Sequence, residues 1–279
     1  MREWLTTAPA NGGDGFRQSV FAGEIFLLSA NAASLALVEE VKRLLVRALG
    51  TAEIQRAQFD MNNEQMLSAV AKVRTEIASG QRFHRLLLNI VRDLGFSLPD
   101  TAFDPVRLRA VVHDGHKIAA AAKAYSVHRD SWYANPQSQI NWWIPLHDVS
   151  EEQTFGFFRD RFDQAVANDS GQFDYAVFAA HGWQKSSAGK VDLVYPTAQG
   201  PQEFGAKQGF ACKQGDILIF SASHLHQTNH NASGMTRFSV DFRTVDMRDD
   251  HDGKGAPNPD NASTGSALVD YLRAAAIDL

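Results

Sequence analysis

The chain predicts a mainly β fold: a jelly-roll core with a layer of helices packed against one outer face. Three observations predict it. Apolar residues recur at helical spacing in the first third of the chain, short runs rich in β-branched and aromatic residues fill the stretch from Arg107 to Val245, and the helices precede the strands instead of alternating with them. Segregation of that kind disfavours a doubly wound sheet, and many short strands suit a closed or double-sheet β architecture. The 279 residues fit one large domain. Its expected parts are a helical support over about 31–97, a jelly-roll core over about 105–246, and a C-terminal arm with a short helix over 247–279.

The helical part reads as three stripes. Leu37, Val41, Leu44, Leu45 and Ala48 share one face of a helix over Ser34 to Leu49, with Ser34 as N-cap and Gly50 as the C-terminal stop. Met66, Val70, Val73 and Ile77 repeat the pattern before Gly80, and Phe83, Leu87, Ile90 and Leu94 do so before Gly95. All three are packing helices without a catalytic role. Beyond Leu98-Pro99-Asp100, strands are predicted over Arg107 to Val112, Ala124 to His128, Gln139 to Leu146, Val191 to Tyr195, Ile217 to Ser221 and Thr236 to Val245. Val112-His113-Asp114-Gly115-His116 reads as a hairpin turn rather than a metal motif. Met247 to Gly265 is poor in apolar residues and predicts a loop or mobile arm, and Ala267 to Ala275 a short closing helix.

Composition excludes several functions. A net charge of −5 provides no basic field for phosphates, which argues against nucleic acid as a partner. No apolar run approaches the length that spans a bilayer, and Met1-Arg2-Glu3-Trp4 does not open an export signal, so no membrane association is expected. The single cysteine, Cys212, rules out an internal disulfide and zinc sites built from paired cysteines, and reads as a small core residue. Together these features predict a soluble, cytoplasmic protein acting on a small molecule, and they leave the oligomeric state open.

The residues that carry chemistry lie far apart in the chain. His128 and Asp130 are separated by one residue, so in an extended segment they project to the same side. His226, after the strand-like run Gly215-Asp216-Ile217-Leu218-Ile219-Phe220, supplies a second imidazole from a distant segment. Two imidazoles and one carboxylate make the ligand set of a non-haem Fe(II) oxygenase, which leaves coordination positions open for a co-substrate and O₂. Taken alone, His128 also suits a strand end and Asp130 a turn before Asn135-Pro136. His224 has the same strand parity as His226 and competes with it. Arg237, Ser239, Asp241 and Arg243 alternate onto one polar face, a site if that face turns inward and a solvated edge if it turns outward.

The order of these residues resembles a known family. His128-x-Asp130, then Gly215-Asp216, His226 ten residues after that Asp, Asn231 five further on, and Arg237 eleven after the His are similar to the Fe(II)/2-oxoglutarate-dependent dioxygenases, in particular their phytanoyl-CoA dioxygenase-like branch. The resemblance spans roughly residues 105 to 245, with a looser match from Glu151 to Gly209. It implies a double-stranded β-helix, with His128, Asp130 and His226 as iron ligands and Arg237 as the bidentate partner of the distal carboxylate of 2-oxoglutarate. Ser239, two residues after Arg237 and so on the same strand face, is placed to donate to that carboxylate, Thr228, two residues after His226, is placed similarly, and Asn141 stands where relatives often carry a polar co-substrate contact. The implied reaction couples decarboxylation of 2-oxoglutarate by O₂ to hydroxylation or a related C–H oxidation, and Asp130 fills the position that related halogenases leave open.

For the second substrate the reading turns to the flanks of the motif. Trp132, Tyr133, Trp142 and Trp143 lie close by; some fill the core, and those at a rim would stack on a planar or sugar face. Arg129, Ser131, Trp132 and Trp143 are the expected substrate contacts. The segment from Ser126 to Leu146 also resembles oxygenases of bacterial carbohydrate and aminoglycoside gene clusters, which implies a polar, sugar-containing metabolite. Two other classes fit the same ligands: a cupin-like, non-redox isomerase or hydrolase, and a jelly roll that binds a ligand without turnover. The first has no use for an arginine paired with 2-oxoglutarate, and the second would bind a ligand yet release no succinate.

Overall fold

The computed structural model describes residues 4–6, 8–9, 11–181 and 195–279. The predicted strand over Val191 to Tyr195 therefore lies, but for Tyr195, outside the described residues. Helices occupy the first third: α1 (Gly12–Phe21), α2 (Ala32–Leu49), α3 (Ala57–Asp60), α4 (Asn63–Ser79) and α5 (Gln81–Asp93). The three predicted stripes become α2, α4 and α5. At the start of α2 the cap is Asn31, whose side chain accepts from the Ser34 amide while Ser34 returns the bond, so Ser34 is the third helical residue rather than the N-cap. Gly50 ends α2 in the left-handed region as expected. None of the described helices is long and apolar enough to cross a membrane.

Two antiparallel sheets follow. The larger has six strands in the order β1-β6-β3-β8-β2-β9, where β1 is Phe26–Leu28, β2 Thr101–Val111, β3 Ile140–Pro145, β6 Ile217–Ser221, β8 Arg237–Asp246 and β9 Leu272–Arg273. The smaller has three, in the order β5-β4-β7: β5 Gln208–Gly209, β4 Phe155–Phe157 and β7 His226–Thr228. β2 starts six residues before its predicted limit and carries a register shift between Asp104 and Arg107. Pro105 sits at that shift, where a residue without an amide hydrogen costs the ladder least.

The larger sheet has two unlike faces. Leu108, Trp142, Ile144, Ile219, Phe238, Val240 and Phe242 point outward and share one core with Leu37, Val41, Leu44, Val70, Val73 and Leu87 of the helices. The opposite face turns toward the smaller sheet. At one end, Trp143, Leu218 and Phe220 pack against Phe155, Phe157 and Phe210, with Phe157 and Phe220 edge to face at 5.1 Å. At the other end it is polar, carrying Arg107 and Arg109 of β2, Asn141 of β3, and Arg237, Ser239, Asp241 and Arg243 of β8.

Three local expectations are corrected. Ala124 to His128 is not a strand: an alanine-rich 3₁₀ stretch runs from Ala119 to Tyr125, and His128 pairs through an isolated bridge. Val112 to His116 is no hairpin; β2 stops at Val111, Asp114 takes φ 58°, and a 3₁₀ turn over Gly115–Lys117 leads away. The C-terminal stretch from Asp252 to Gly265 is irregular, as expected of a loop, and is tied to the core by hydrogen bonds and an ion pair. A short helix, α6 (Met247–His251), precedes it, and the predicted closing helix is two 3₁₀ turns, Ala267–Asp270 and Ala274–Ala276, with β9 between them on the edge of β2.

Candidate metal centre

His128 and His226 face each other across an isolated antiparallel bridge, each amide bonding the other's carbonyl at 3.1 and 3.0 Å. Residues directly opposed in an antiparallel pair send their side chains to the same face, so the bridge brings the imidazoles together with ring centroids 4.3 Å apart. Arg129 is extended at φ −110°, ψ 143°, which returns Asp130 to the side of His128 before a 3₁₀ turn over Asp130–Tyr133 begins. The same-side geometry expected for His128 and Asp130 thus holds across a bridge and a turn instead of along a strand. Asn135 Nδ2 donates to the Asp130 carbonyl at 2.7 Å and fixes that turn. One ligand atom from each of His128, Asp130 and His226 lies within 4.8 Å of the other two, and among the described residues no other His, Cys, Asp or Glu group converges in this way.

The donor set fits a divalent cation atom by atom. His128 Nδ1 is 3.0 Å from the Ser126 carbonyl and His226 Nδ1 is 2.9 Å from the His224 carbonyl. A carbonyl only accepts, so both Nδ1 atoms carry the hydrogen and both Nε2 lone pairs are left for a metal, the usual arrangement of ligating histidines. Burial and the neighbouring His226 push the His128 imidazole down to about 4, which keeps it neutral at physiological pH. For Asp130, burial acts upward, but Arg243, the two imidazoles and Arg109 outweigh it and hold the carboxyl at about 2. Its Oδ2 accepts from Asn141 Nδ2 at 2.7 Å, while Oδ1 lies 3.7 Å from His128 Nε2.

His224 does not compete for the metal. Its Nδ1 accepts from the Ser221 amide at 3.1 Å and its Nε2 donates to the Gly23 carbonyl at 3.1 Å, so both ring nitrogens are occupied. Its part in the centre is the backbone carbonyl that orients His226. The other histidines raised by the sequence lie elsewhere: His116 stacks on His230 at 4.2 Å, and His113 Nδ1 accepts from the Gly234 amide.

Arg237 sits further along the same polar face. Buried to 3 % exposure, it donates from Nε to the Gln153 carbonyl at 3.0 Å and from Nη1 to Ser239 Oγ at 2.6 Å, over the ring of Trp143 at 5.6 Å. Among the described residues no carboxylate lies within ion-pair distance of it, and Nη2 has no hydrogen-bond partner. Asp241, whose field reaches it, is held by Arg109 at 2.6 and 3.2 Å. Burial and the like charge of Arg109 pull the guanidinium down to about 10, still charged at neutral pH. Thr228 shares the parity of His226 on β7 and faces the same side, but makes no hydrogen bond to any described residue. Asn141 donates to Asp130 and accepts from Gln139.

The expected substrate contacts are corrected. Arg129 is fully buried, pairing with Asp260 at 3.0 Å and donating to the carbonyls of Arg161, Phe162, Gln164 and Ser223. Trp132 is equally buried, its Nε1 donating to Asp260 Oδ1 at 2.7 Å. Ser131, at 2 % exposure, ties its amide to the Ala222 carbonyl, and Trp143 lies between Phe155 and Phe210 under Arg237. All four are buried, Arg129 and Trp132 with their side chains turned to Asp260. The groups that do face the open part are ones the sequence did not single out as contacts: Tyr133, edge-on to His128 at 5.9 Å, and Arg109 and Arg107, with side chains 44 % and 48 % exposed. The alternation of Arg107 and Arg109 along β2 was the available signal for part of that lining.

No protein family profile matches the chain, and no curated protein matches it. Among solved structures it resembles the non-haem monooxygenase ThoJ at 14 % identity and a TM-score of 0.43, over 83 % of this chain and 77 % of that one. It also resembles the non-haem, α-ketoglutarate-dependent epimerase SnoN of nogalamycin biosynthesis, at 13 % identity and a TM-score of 0.39, over 82 % and 83 % of the two chains. HygX from Streptomyces hygroscopicus is similar at 14 % identity and a TM-score of 0.41, over 91 % and 97 %. At this distance the functional assignment rests on the residues of the site.

Proposed function

We propose that the protein is an Fe(II)- and 2-oxoglutarate-dependent oxygenase acting on a small polar metabolite. The observation that carries this reading is the pairing of two features on one face: a converged His128, Asp130, His226 triplet with its outward lone pairs free, and a buried Arg237 without a counter-charge. Removing a guanidinium from water without an anion costs several kcal/mol, by order of magnitude, so such a group calls for a bound carboxylate. A hydrolytic or isomerising metal enzyme has no evident use for it. In this reading the two sheets are the walls of a double-stranded β-helix forming one domain, and the polar end of the larger sheet is its interior.

Bound at the triplet, iron would supply the activation of O₂ and the oxidising power for C–H chemistry. The protein's residues do the rest. His128 and His226 present fixed Nε2 lone pairs, and Asp130 contributes the one negative ligand. Arg237 and Ser239 hold the distal carboxylate of 2-oxoglutarate, with Thr228 facing the same space. Buried Trp143, Phe155 and Phe210 keep water away from that end. Arg107, Arg109 and Tyr133 line the opening, and paired, half-exposed arginines suit a hydroxyl-rich substrate such as a sugar-containing compound better than an acyl chain. Hydroxylation is the reaction we favour, in a cytoplasmic enzyme with no nucleic-acid or membrane partner.

The test is anaerobic titration of metal-free protein with Fe(II) and then 2-oxoglutarate. A saturable, weak visible charge-transfer band is expected, followed by succinate release on admitting air with a suitable sugar-containing substrate. Fe(II) binding with no band on adding 2-oxoglutarate would overturn the co-substrate assignment and favour a non-redox metal enzyme.

A further inference from the structure

The two histidines of the centre are fixed by backbone: a bridge sets their main chain and a carbonyl sets each ring. Asp130 has no such support. It begins a turn, and its carboxylate is oriented by a side chain, Asn141, that is itself held by side chains. Asn141 Oδ1 accepts from Gln139 Nε2 at 2.8 Å, and Gln139 Oε1 accepts from the Tyr271 hydroxyl at 2.6 Å. Gln139 is fully buried and Asn141 4 % exposed, so water does not compete for the bond between them.

The direction of this relay is forced. A carboxylate only accepts, so Asn141 must turn its NH₂ toward Asp130 and its oxygen toward Gln139. Gln139 must then donate to Asn141, which leaves its oxygen to accept from Tyr271. Each bond polarises the next, and the chain ends on Oδ2 of Asp130, leaving Oδ1 beside His128 Nε2 for the metal. Tyr271 is itself placed by rigid neighbours: Leu272 and Arg273 pair with Phe103 and Ala102 of β2, and Ala274 is buried in the helix-side core. The same C-terminal strap reaches the other side of the triplet through Asp260, which holds Arg129 and Trp132.

We propose that Tyr271 is a positioning residue for the metal centre, acting through Gln139 and Asn141 to set the orientation of the Asp130 carboxylate, so that the C-terminal strap is part of the metal-binding machinery. This rests on the metal reading above.

The experiment measures Fe(II) and Co(II) dissociation constants, anaerobically, for the full chain and for Tyr271→Phe, Asn141→Ala and the double variant, with the melting temperature of each metal-free protein. Loss of an outer hydrogen-bond partner of a metal ligand commonly weakens metal binding about 10- to 100-fold, which is the expectation for Asn141→Ala, and we expect about 3- to 10-fold for the more remote Tyr271→Phe. The decisive outcome is non-additivity: once Asn141 is gone, removing the Tyr271 hydroxyl should change the metal affinity no further. The Co(II) absorption bands should also shift in Tyr271→Phe. Wild-type affinity and bands in Tyr271→Phe would overturn the relay while leaving the metal site standing. So would a Tyr271 effect that adds in full to that of Asn141. Should Asn141→Ala not fold, Gln139→Leu replaces it in the cycle with the same expectation. Absence of Fe(II) and Co(II) binding by the unaltered protein would remove the metal reading and the relay together.

Discussion

The two ends of the polar face differ in what they need. At the triplet every atom not offered to a metal already has a protein partner: Nδ1 of each histidine has a carbonyl and Oδ2 of Asp130 has Asn141. At Arg237 the protein supplies a carbonyl and a hydroxyl, but no negative charge. The first end is preorganised and complete before anything binds. The second is complete only with an anion present. The contrast separates two kinds of binding residue: those whose loss removes a site, and those whose charge is a cost until the ligand arrives.

The largest expected effect breaks the first end. Asp130→Ala removes the only anionic ligand and leaves two neutral nitrogens, so metal affinity and coupled turnover should both fall by about two orders of magnitude or more. Metal titration and succinate release measure them. Near-normal values for both would mean that the triplet is not the metal site and that its geometry has another cause.

A smaller effect is expected at the second end, and in a different quantity. Arg237→Ala should weaken 2-oxoglutarate by about 2–4 kcal/mol, roughly 30- to 1,000-fold, since truncating one partner of a buried charge pair costs that much. Fe(II) affinity should stay within about threefold, because no hydrogen bond of Arg237 reaches the triplet. Isosteric Arg237→Met sharpens the comparison. It removes a buried charge that is unpaired in the ligand-free protein, so the melting temperature without 2-oxoglutarate should hold or rise while co-substrate binding is lost. A clear drop in melting temperature would show that Arg237 is satisfied without a ligand.

The same contrast explains what the sequence revealed. Periodicity located α2, α4, α5 and the long strands because each has a continuous apolar face against the others. It missed α1, whose opening Gly12-Gly13-Asp14-Gly15 reads as a loop; Gly13 is there because a Cβ would meet the Phe96 backbone at 2.6 Å, so the helix can pack only with glycine at that contact. β4, β5 and β7 are two or three residues long and carry no pattern. The triplet and Arg237 were legible because their spacing along the chain is distinctive. Their supports were not, since Asn141 and Gln139 bond each other two residues apart and are joined only in the fold by Tyr271, 132 residues beyond Gln139. The strap from Met247 onward misled for a related reason: it is held by polar bonds, such as Asp260 to Arg129 and Ala256 to the Gln137 carbonyl, which hydropathy does not register. Arg129 and Trp132 looked like contacts because they adjoin the motif, and only the tertiary structure shows them facing the strap.

The smallest expected effect is on the pH dependence of the metal-free protein. Burial pushes His128 down to about 4 and His224 to about 3, both below the usual imidazole value near 6.5. As pH falls below about 6.5 the unfolded chain takes up these protons first, while the folded chain resists them. The stability that neutral, buried rings confer is therefore fully present above about 6.5 and lost progressively toward 4 and then 3. Asp130, held at about 2 against its ordinary 3.8, gives up its contribution between those two values and does not affect the result at pH 5. Each histidine contributes at most about 1.4 kcal/mol per pH unit, or roughly 3–5 °C in melting temperature for a domain of this size. Metal-stripped protein should thus melt several degrees lower at pH 5 than at pH 7, and His224→Gln should flatten part of that slope. A level profile would mean that these rings are solvated in the metal-free state, and that the triplet is assembled by the metal rather than waiting for it.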